Sequence, residues 1–448
     1  KLREARGAAH RRTAWPDVLG TFKRILGQCI PGSASAERCA DHIADGAAVA
    51  FSALSSKWHG MKSLAGDEVR AFSERFRGAL AEEAKAVLGQ RLSWSKFSAW
   101  NSLAQKVFQQ QRPAVPKALV NEINSNASGW TAEYRPEMLK TAVAAYEGML
   151  GLEPTTDDEK AGAAEDAQAK RSGDLALLGS SRANLTEPEG PYAVWDHWPE
   201  CAGVMKHVRF QTCPNCWSHS TALITESRVC IKLGGGFGGR DAWLSQSYIA
   251  ACRVDSGYYC RSGGGTLGFS TVSQWGVPTG ASDNRGNADP AARTCFPQVP
   301  PKLSSVACPA TCATEVEYPR DLRHDTFYMR YEGSRTLLPG DDLTQMLAKR
   351  SLLEEGPIMI GFHAFQDLLA YSSGIYTPLN SPDNRPMGGH AVTAMGFGPG
   401  YYLCTNSWGA NWGMQGTFMI ATPSIDIGYY LPGTMEYGKY KTFPVPVP

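Results

Sequence analysis

The sequence lacks both a strong net charge and a long apolar run. Its 448 residues carry 44 Lys and Arg against 43 Asp and Glu, a formal net charge of +1. This balance excludes a nucleic-acid binder that works through a strongly basic face. No run of about eighteen apolar residues occurs, so we expect no membrane-spanning helix. With 43% hydrophobic residues the chain can bury a sizeable core, and its length predicts two or three domains.

Cysteine is scarce in the first half of the chain. Only Cys29 and Cys39 precede Cys201, and ten of the twelve cysteines lie between Cys201 and Cys404. That density predicts disulfides and a location in the secretory pathway, in a lysosome-like or vacuole-like compartment or outside the cell. A local pair of Cys29 with Cys39 is the simplest guess for the upstream cysteines.

Composition changes near residue 187. Residues 1–150 are rich in Ala, Lys, Arg and Glu and show helical periodicity. Residues 153–187 contain few large apolar side chains and are typical of an exposed, protease-sensitive linker. From residue 188 onward Gly, Trp, Tyr, Cys and Pro dominate, and short β-type runs occur, as in 358–362, 391–395 and 417–420. The second half therefore reads as α+β. The clearest helical stripe of the first half consists of Val69, Phe72, Phe76, Leu80, Ala84 and Val87.

Residues 211–217 combine a glutamine with two closely spaced cysteines, Cys213 and Cys216. A thioredoxin-like redox pair would need a preceding strand in a βαβ pattern, which we do not find. Half of a zinc site would need a matching pair, for which Cys308 and Cys312 are the nearest candidate. The third interpretation makes Cys216 a nucleophile at the start of a helix, where the helix N-terminus and a nearby imidazolium favour the thiolate.

The nucleophile interpretation predicts a His and an Asn or Asp far downstream. His390 stands at the start of a β-type run, within 388–392, and Asn406 is followed by the aromatic Trp408. Three other histidines have no such setting, and we expect structural roles for them: His207, His219 and His363.

These blocks resemble the signature segments of papain-family cysteine proteases, and most closely those of the cathepsin B group. Residues 193–201 resemble the start of the mature domain in that group, and residues 356–376 match its pattern ahead of His390. Upstream, residues 119–130 and 148–151 resemble its propeptide. The resemblance covers roughly residues 115–430. It implies an α+β fold with a helical left subdomain and a β-barrel-like right subdomain, preceded by a mainly helical pro-region.

The resemblance also implies an organisation of the chain. Residues 1–114 would be a helical N-terminal extension, residues 115–187 propeptide and linker, and residues 188–448 the protease domain. The propeptide would lie through the cleft, with residues 148–150 near Cys216.

The implied activity is peptide-bond hydrolysis through an acyl-enzyme. Cys216 would be the nucleophile and His390 its general base, later its general acid. Asn406 would orient the imidazole, and Trp408 would shield that hydrogen bond from water. Gln211 and the backbone N–H of the nucleophile would form the oxyanion hole.

The loops around the cleft depart from the family pattern. Gln211 lies five residues before the nucleophile, where the family has six. Residues 277–300, which correspond to the cathepsin B occluding loop, contain no His. The paired histidines of that loop accept a substrate's C-terminal carboxylate, so we expect endopeptidase rather than dipeptidyl-carboxypeptidase action. Residues 427–429 stand where that enzyme has an acidic second-subsite residue, so no preference for Arg is expected. The substrate backbone would pair with Gly263 and Gly264, because only glycine lets another backbone approach so closely.

The same resemblance implies four disulfides and two free thiols, at Cys216 and Cys404. The implied pairs are Cys201–Cys230, Cys213–Cys260, Cys252–Cys308 and Cys295–Cys312.

The expected partners are a peptide or protein substrate and the chain's own propeptide as inhibitor, with no cofactor, metal ion, nucleic acid or membrane span. The N-terminal extension is a candidate contact for a protein partner. The competing hypothesis is a catalytically weak or inactive protease-fold scaffold whose N-terminal helices bind partners.

Overall fold

The computed structural model describes residues 67–82 with gaps, 114–126, 129–135, 149–153, 190–238, 242–252, 260–280, 294–297, short pieces between 308 and 339, 342–432 and 434–436. The helices within these residues are α1 Lys117–Ser125, α2 Val194–His197, α3 Ala202–Met205, α4 Cys216–Lys232, α5 Gln246–Ala251, α6 Leu267–Trp275 and α7 Asp342–Glu354. The strands are β1 Trp130–Ala132, β2 Tyr192–Ala193, β3 Tyr328–Arg330, β4 Thr336–Leu337, β5 Ile358–Phe365, β6 Tyr371–Tyr376, β7 Pro386–Gly398, β8 Tyr401–Thr405, β9 Thr417–Ala421, β10 Gly428–Tyr430 and β11 Thr434–Glu436.

The chain divides into two compact units, of which the first comprises residues 1–126, 133–146 and 381–383. Described positions between 67 and 82 are helical, as the apolar stripe predicts. Phe72 and Phe76 of that stripe are buried, and their ring centroids are 5.8 Å apart. The sequence-based division at residues 114 and 187 stays a prediction. Six residues of the sequence analysis lie outside the described residues: Val69, Leu80, Ala84, Val87, Cys29 and Cys39.

The second unit comprises residues 127–132, 147–380 and 384–448 and is built around α4. This helix is buried on every side from Cys216 to Cys230, although many of its residues are polar. The hydroxyls of Thr221, Thr225 and Ser227 donate to the carbonyls four residues earlier, as Thr221 does to Trp217 at 2.8 Å. Burial of these three hydroxyls is tolerated because each has a partner inside the helix.

A nine-stranded sheet packs against α4. Its order is β1-β6-β9-β8-β7-β5-β10-β4, with β2 pairing β7. The predicted β-type runs lie in β5, β7 and β9, and the long antiparallel pairing of β5 with β7 places Phe362 opposite His390. The start of β7, the end of β8 and the N-terminus of α4 therefore meet. These are the places where the sequence puts its candidate catalytic residues.

Four disulfides brace the second unit, and they are the pairs that the resemblance implies. The disulfides are Cys201–Cys230, Cys213–Cys260, Cys252–Cys308 and Cys295–Cys312. Cys216 and Cys404 are free and buried.

No helix of the described residues is long and apolar enough to cross a membrane.

Asp367 makes the stability of this unit depend on pH. It is fully buried, and its carboxylate accepts hydrogen bonds from the Tyr376 hydroxyl and the Leu379 N–H, both at 2.7 Å. Burial raises the pKa of Asp367 from 3.8 to about 6. Because the folded-state pKa lies above the unfolded one, the proton's contribution to stability is complete below about pH 4 and is lost as pH rises through 6.

We predict that Asp367→Asn flattens this dependence. A shift of roughly two pKa units corresponds to about 3 kcal/mol, so the wild-type change in unfolding free energy between pH 4 and pH 7 should shrink by up to that amount. Urea unfolding at several pH values measures it, with the exposed Asp383→Asn as control. An Asp367→Asn curve parallel to wild type would contradict the assignment.

Candidate active site

Cys216 is the first residue of α4 and is fully buried. The preceding loop is tied down by the Cys213–Cys260 disulfide. The next turn is fixed by Ser218, which donates from its N–H and its hydroxyl to the Asn215 carbonyl at 3.0 and 2.9 Å. The thiol therefore has a defined position at the helix N-terminus.

His390 lies beside Cys216 because β7 packs against α4. The N–H of Ala391, the next residue in β7, donates to Cys216 Sγ at 3.4 Å. His390 Nε2 is 2.8 Å from Asn406 Oδ1. The other ring nitrogen, Nδ1, is buried and has no hydrogen-bond partner among the described groups. The imidazole thus has one nitrogen held by an amide and the other available.

The imidazole is covered on one face by Trp408, whose ring centroid lies 4.9 Å away at an interplanar angle of 23°. Asn406 follows the last residue of β8, and its own N–H donates to the Gly416 carbonyl at 2.9 Å. Both Asn406 and Trp408 are at most 4% exposed. Water is kept away from the His390–Asn406 hydrogen bond, which strengthens it.

Burial sets the charge state of the pair in this form of the protein. It raises the pKa of the Cys216 thiol to about 11, against the opposing effect of four backbone N–H groups, those of Ala391 and Gly151 foremost. It lowers the pKa of His390 to about 4, against the opposing Asn406 hydrogen bond. Between these two values both groups are neutral. The sequence analysis expected a lowered thiol pKa at the helix N-terminus, and here desolvation outweighs it.

Gln211 faces the same place. Its backbone N–H donates to the Ser407 carbonyl at 2.7 Å, and its side-chain oxygen accepts from the Ser407 hydroxyl. Its side-chain nitrogen donates to the Cys213 carbonyl at 3.0 Å and to the Met149 carbonyl. The shortened spacing between Gln211 and Cys216 therefore still brings the amide to the site.

Residues 149–153 thread through the cleft. Gly263 N–H donates to the Gly151 carbonyl at 2.9 Å, and Glu153 N–H donates to the Gly263 carbonyl at 3.0 Å. On the other wall, Leu152 N–H donates to the Gly389 carbonyl at 3.1 Å. The Gly151 N–H lies near the Cys216 thiol and opposes the rise in its pKa. We call residues 149–153 the cleft segment.

Three comparisons identify the arrangement. A family model described as papain family cysteine protease matches residues 194–428, just over half of the chain. The chain belongs to the papain family of cysteine proteases.

Relatives within this family are distant. A cathepsin B-like cysteine proteinase of Schistosoma japonicum is 26% identical over 240 residues, which cover 49% of this chain and 65% of the relative. A cathepsin B-like cysteine proteinase 3 of Caenorhabditis elegans is 25% identical over 234 residues, covering 50% and 59%. The chain thus spans less than two thirds of either relative. The solved structure of proCathepsin B S9 from Trypanosoma congolense matches with a TM-score of 0.51 and 22% identity, over 72% of this chain and 100% of that one. The predicted papain-like α+β fold is confirmed.

The papain-type residues named from the sequence come together. Asn406 and Trp408 contact the His390 ring, Cys216 accepts from the N–H next to His390, and Gln211 bonds the loop that precedes Cys216. Gly263 pairs with the cleft segment, whereas the described contact of Gly264 is a turn, in which its carbonyl accepts from Leu267 N–H at 3.2 Å. Most of the region 277–300 lies outside the described residues.

Sequence analysis missed two features of this papain-type cleft. The residue of the cleft segment whose N–H lies near the thiol is Gly151, directly after the stretch 148–150 that the resemblance placed there. Beside it, the buried Leu152 side chain fills a pocket at Gly361, where an added Cβ would lie 2.4 Å from Leu152 Cδ2, 3.3 Å from the Tyr430 ring and 3.4 Å from Ile427 Cβ. Tyr430 lies one residue beyond the stretch 427–429 that the sequence suggested. Both features are determined by contacts between distant segments and not by a local sequence pattern.

We predict that Gly151→Ala loosens the cleft segment. An added Cβ would lie 2.1 Å from the Pro214 carbonyl oxygen, a backbone atom that cannot turn away. The segment must shift, so its amide hydrogen bonds to Gly263 and Gly389 weaken. Hydrogen–deuterium exchange of peptides covering 149–153 should become faster by about tenfold or more. Gly78→Ala, where an added Cβ meets nothing within 4 Å, should leave exchange there unchanged. Equal protection in Gly151→Ala and wild type would rule out this contact.

Proposed function

We propose that the protein is a papain-type cysteine endopeptidase in zymogen form. The observation that carries the proposal is the cleft segment, which pairs with both walls and places an N–H against Cys216 Sγ. A ligand-like backbone over a Cys-His-Asn group is the arrangement expected of a protease blocked by its own chain.

The neutral pair would be converted to thiolate and imidazolium when the cleft segment leaves. Desolvation is the largest cause of both pKa shifts, and removal of the segment readmits water to Cys216 and His390. Sγ would then attack the scissile carbonyl carbon, and the imidazolium would give its proton to the leaving amine. Water, deprotonated by the same imidazole, would hydrolyse the thioester. Gln211 would donate to the carbonyl oxygen that carries the developing charge.

The cleft segment occupies hydrogen-bonding groups that catalysis would use. Its Met149 carbonyl takes the Gln211 amide that a substrate's oxyanion would need. The same donors that would serve catalysis thus hold the inhibitor.

We propose that the Leu152 pocket is the specificity pocket and that it takes an apolar side chain. The Leu152 side chain lies against the Cα of Gly361, and the atoms of Ile427 and Tyr430 nearest to that position are also carbon. An apolar wall disfavours Arg, because its guanidinium would lose hydration without a partner.

Endopeptidase action is proposed from residues 277–300, which contain no His to hold a substrate's C-terminal carboxylate. Release of dipeptides from the C-terminus of a test peptide, in preference to internal cleavage, would contradict it. The next experiment also tests the scaffold hypothesis.

We predict that an active-site-directed epoxide labels Cys216 only after the cleft segment has been removed by limited proteolysis and acid. Cys216→Ala should abolish labelling and lower kcat/KM by about 10⁴-fold or more, because no other group can form the acyl-enzyme. Cys404→Ala is the matched control, since Cys404 is the other free, buried thiol among the residues that the structure describes. It should keep both labelling and activity. A folded, cleaved chain that is neither labelled nor active would favour the scaffold.

We also predict that the processed enzyme prefers substrates with Leu over substrates with Arg at the position that enters the Leu152 pocket. Gly361→Ala should lower kcat/KM for Leu substrates by about tenfold, because the added Cβ takes space that the Leu152 side chain occupies here. Gly428→Ala is the control, since its added Cβ would meet only ordinary contacts at 3.4 Å and beyond. Equal effects of the two substitutions, or an Arg preference, would refute this pocket.

A further inference from the structure

A cavity of about 10 Å³ adjoins Asn406, in the core between α4, β7 and the end of β8. Its lining residues are each at most 7% exposed. A cavity of this volume has room for about one water molecule, provided that polar groups line it.

Three residues that line this cavity carry buried polar atoms without partners among the described protein groups. They are His219 of α4, Thr405 of β8 and Asn406. Both ring nitrogens of His219, the Thr405 hydroxyl and Asn406 Nδ2 are buried and have no hydrogen-bond partner among the described protein groups. A buried polar group that has lost water without gaining a hydrogen-bond partner destabilises the fold. One water, with two donors and two acceptors, can serve all three residues.

His219 is neutral in this setting. Burial, followed by the charges of Arg209 and His207, holds its pKa well below the ordinary value. Arg209, which also lines the cavity, is committed to Glu226 through two hydrogen bonds at 2.8 and 2.7 Å. A neutral imidazole offers one donor and one acceptor nitrogen. His219 can therefore accept a hydrogen bond from the cavity water.

The orientation of the Asn406 amide depends on what its nitrogen meets. Asn406 Oδ1 lies 2.8 Å from both His390 Nε2 and the Ser407 N–H. A flipped amide would set Nδ2 against these donors, and His390 would lose the acceptor that keeps its proton on Nε2. An acceptor for Nδ2 on the cavity side favours the correct orientation.

We propose that His219 is a positioning residue that acts through a water in this cavity. The water accepts from Asn406 Nδ2 and donates to the unprotonated nitrogen of His219. This fixes the Asn406 amide, and with it the tautomer and orientation of His390. The inference rests on the proposed function, since it assigns His219 a part in supporting the Cys-His-Asn group.

The test uses processed chains carrying His219→Leu, His219→Gln or Thr225→Val. Leucine fills similar space without an acceptor, and glutamine restores one. Thr225, also buried in α4, donates its hydroxyl to the Thr221 carbonyl at 2.7 Å and does not line the cavity, so its variant controls for lost polarity in the helix. We expect His219→Leu to lower kcat about tenfold or more at unchanged KM, and the other two to stay within about threefold of wild type.

The pH profile separates positioning from mere stability. The Asn406 hydrogen bond raises the pKa of His390, so its loss should move the alkaline limb of kcat/KM to lower pH. The charged or titratable groups around the cavity, Arg209, His207 and Glu226, are unchanged in all three variants. A folded His219→Leu chain with wild-type kcat and an unmoved limb would overturn the proposal.

A high-resolution crystal structure of the wild-type processed chain gives a result that needs no variant. We expect a water within hydrogen-bond distance of Asn406 Nδ2 and a His219 nitrogen, and a dry cavity would overturn the proposal even if His219→Leu fails to fold. Loss of activity in Asn406→Ala together with wild-type behaviour of His219→Leu would refute this inference and leave the proposed function standing. An inactive wild-type chain would instead refute the proposed function.

Discussion

The packing of α4 against β7 is the constraint on which the rest of the second unit depends. It brings the Ala391 N–H to 3.4 Å from Cys216 Sγ, although 175 residues separate them in sequence. The helix fits there because most of its buried hydroxyl and charged groups have partners, either in the helix itself or in packed elements. Glu226, fully buried, is paired with Arg209 and also accepts the Leu244 N–H at 2.7 Å. Removing either charged partner would leave the other buried and unpaired, which typically costs 3–5 kcal/mol.

The same burial explains why Cys216 and His390 are both neutral in this form of the protein. In water, a thiol at a helix N-terminus next to an imidazole favours the thiolate form. Here desolvation is the largest cause of the pKa shifts of both Cys216 and His390. The cleft segment completes that desolvation and uses backbone hydrogen bonds to two glycines to stay in place. Gly389 is needed at its position, because an added Cβ would lie 2.3 Å from the Leu152 carbonyl oxygen. In the proposed function, latency and substrate binding would draw on the same backbone groups.

Local sequence patterns predicted the helices and strands that are determined by nearby residues. The helix after Cys216 and the strands containing residues 358–362, 391–395 and 417–420 lie where composition and turn signals placed them. The family resemblance, not spacing, supplied the disulfide pairs and the set of site residues. Three finer contacts between distant segments escaped both. Gly151 against the thiol, Tyr430 in the pocket and the cavity beside His219 each depend on how separate elements pack, which a single sequence does not encode in any short pattern.

The pH dependence of Cys216 alkylation tests the central claim most directly. Iodoacetamide modification of Cys216 would be followed by mass spectrometry in the full chain and in the processed chain, with Cys404→Ala to exclude the second thiol. The account predicts an apparent pKa far above neutrality in the full chain, near 11, and a large drop once the cleft segment is gone. The same pKa in both chains would show that the cleft segment does not control the thiol, and would contradict the account.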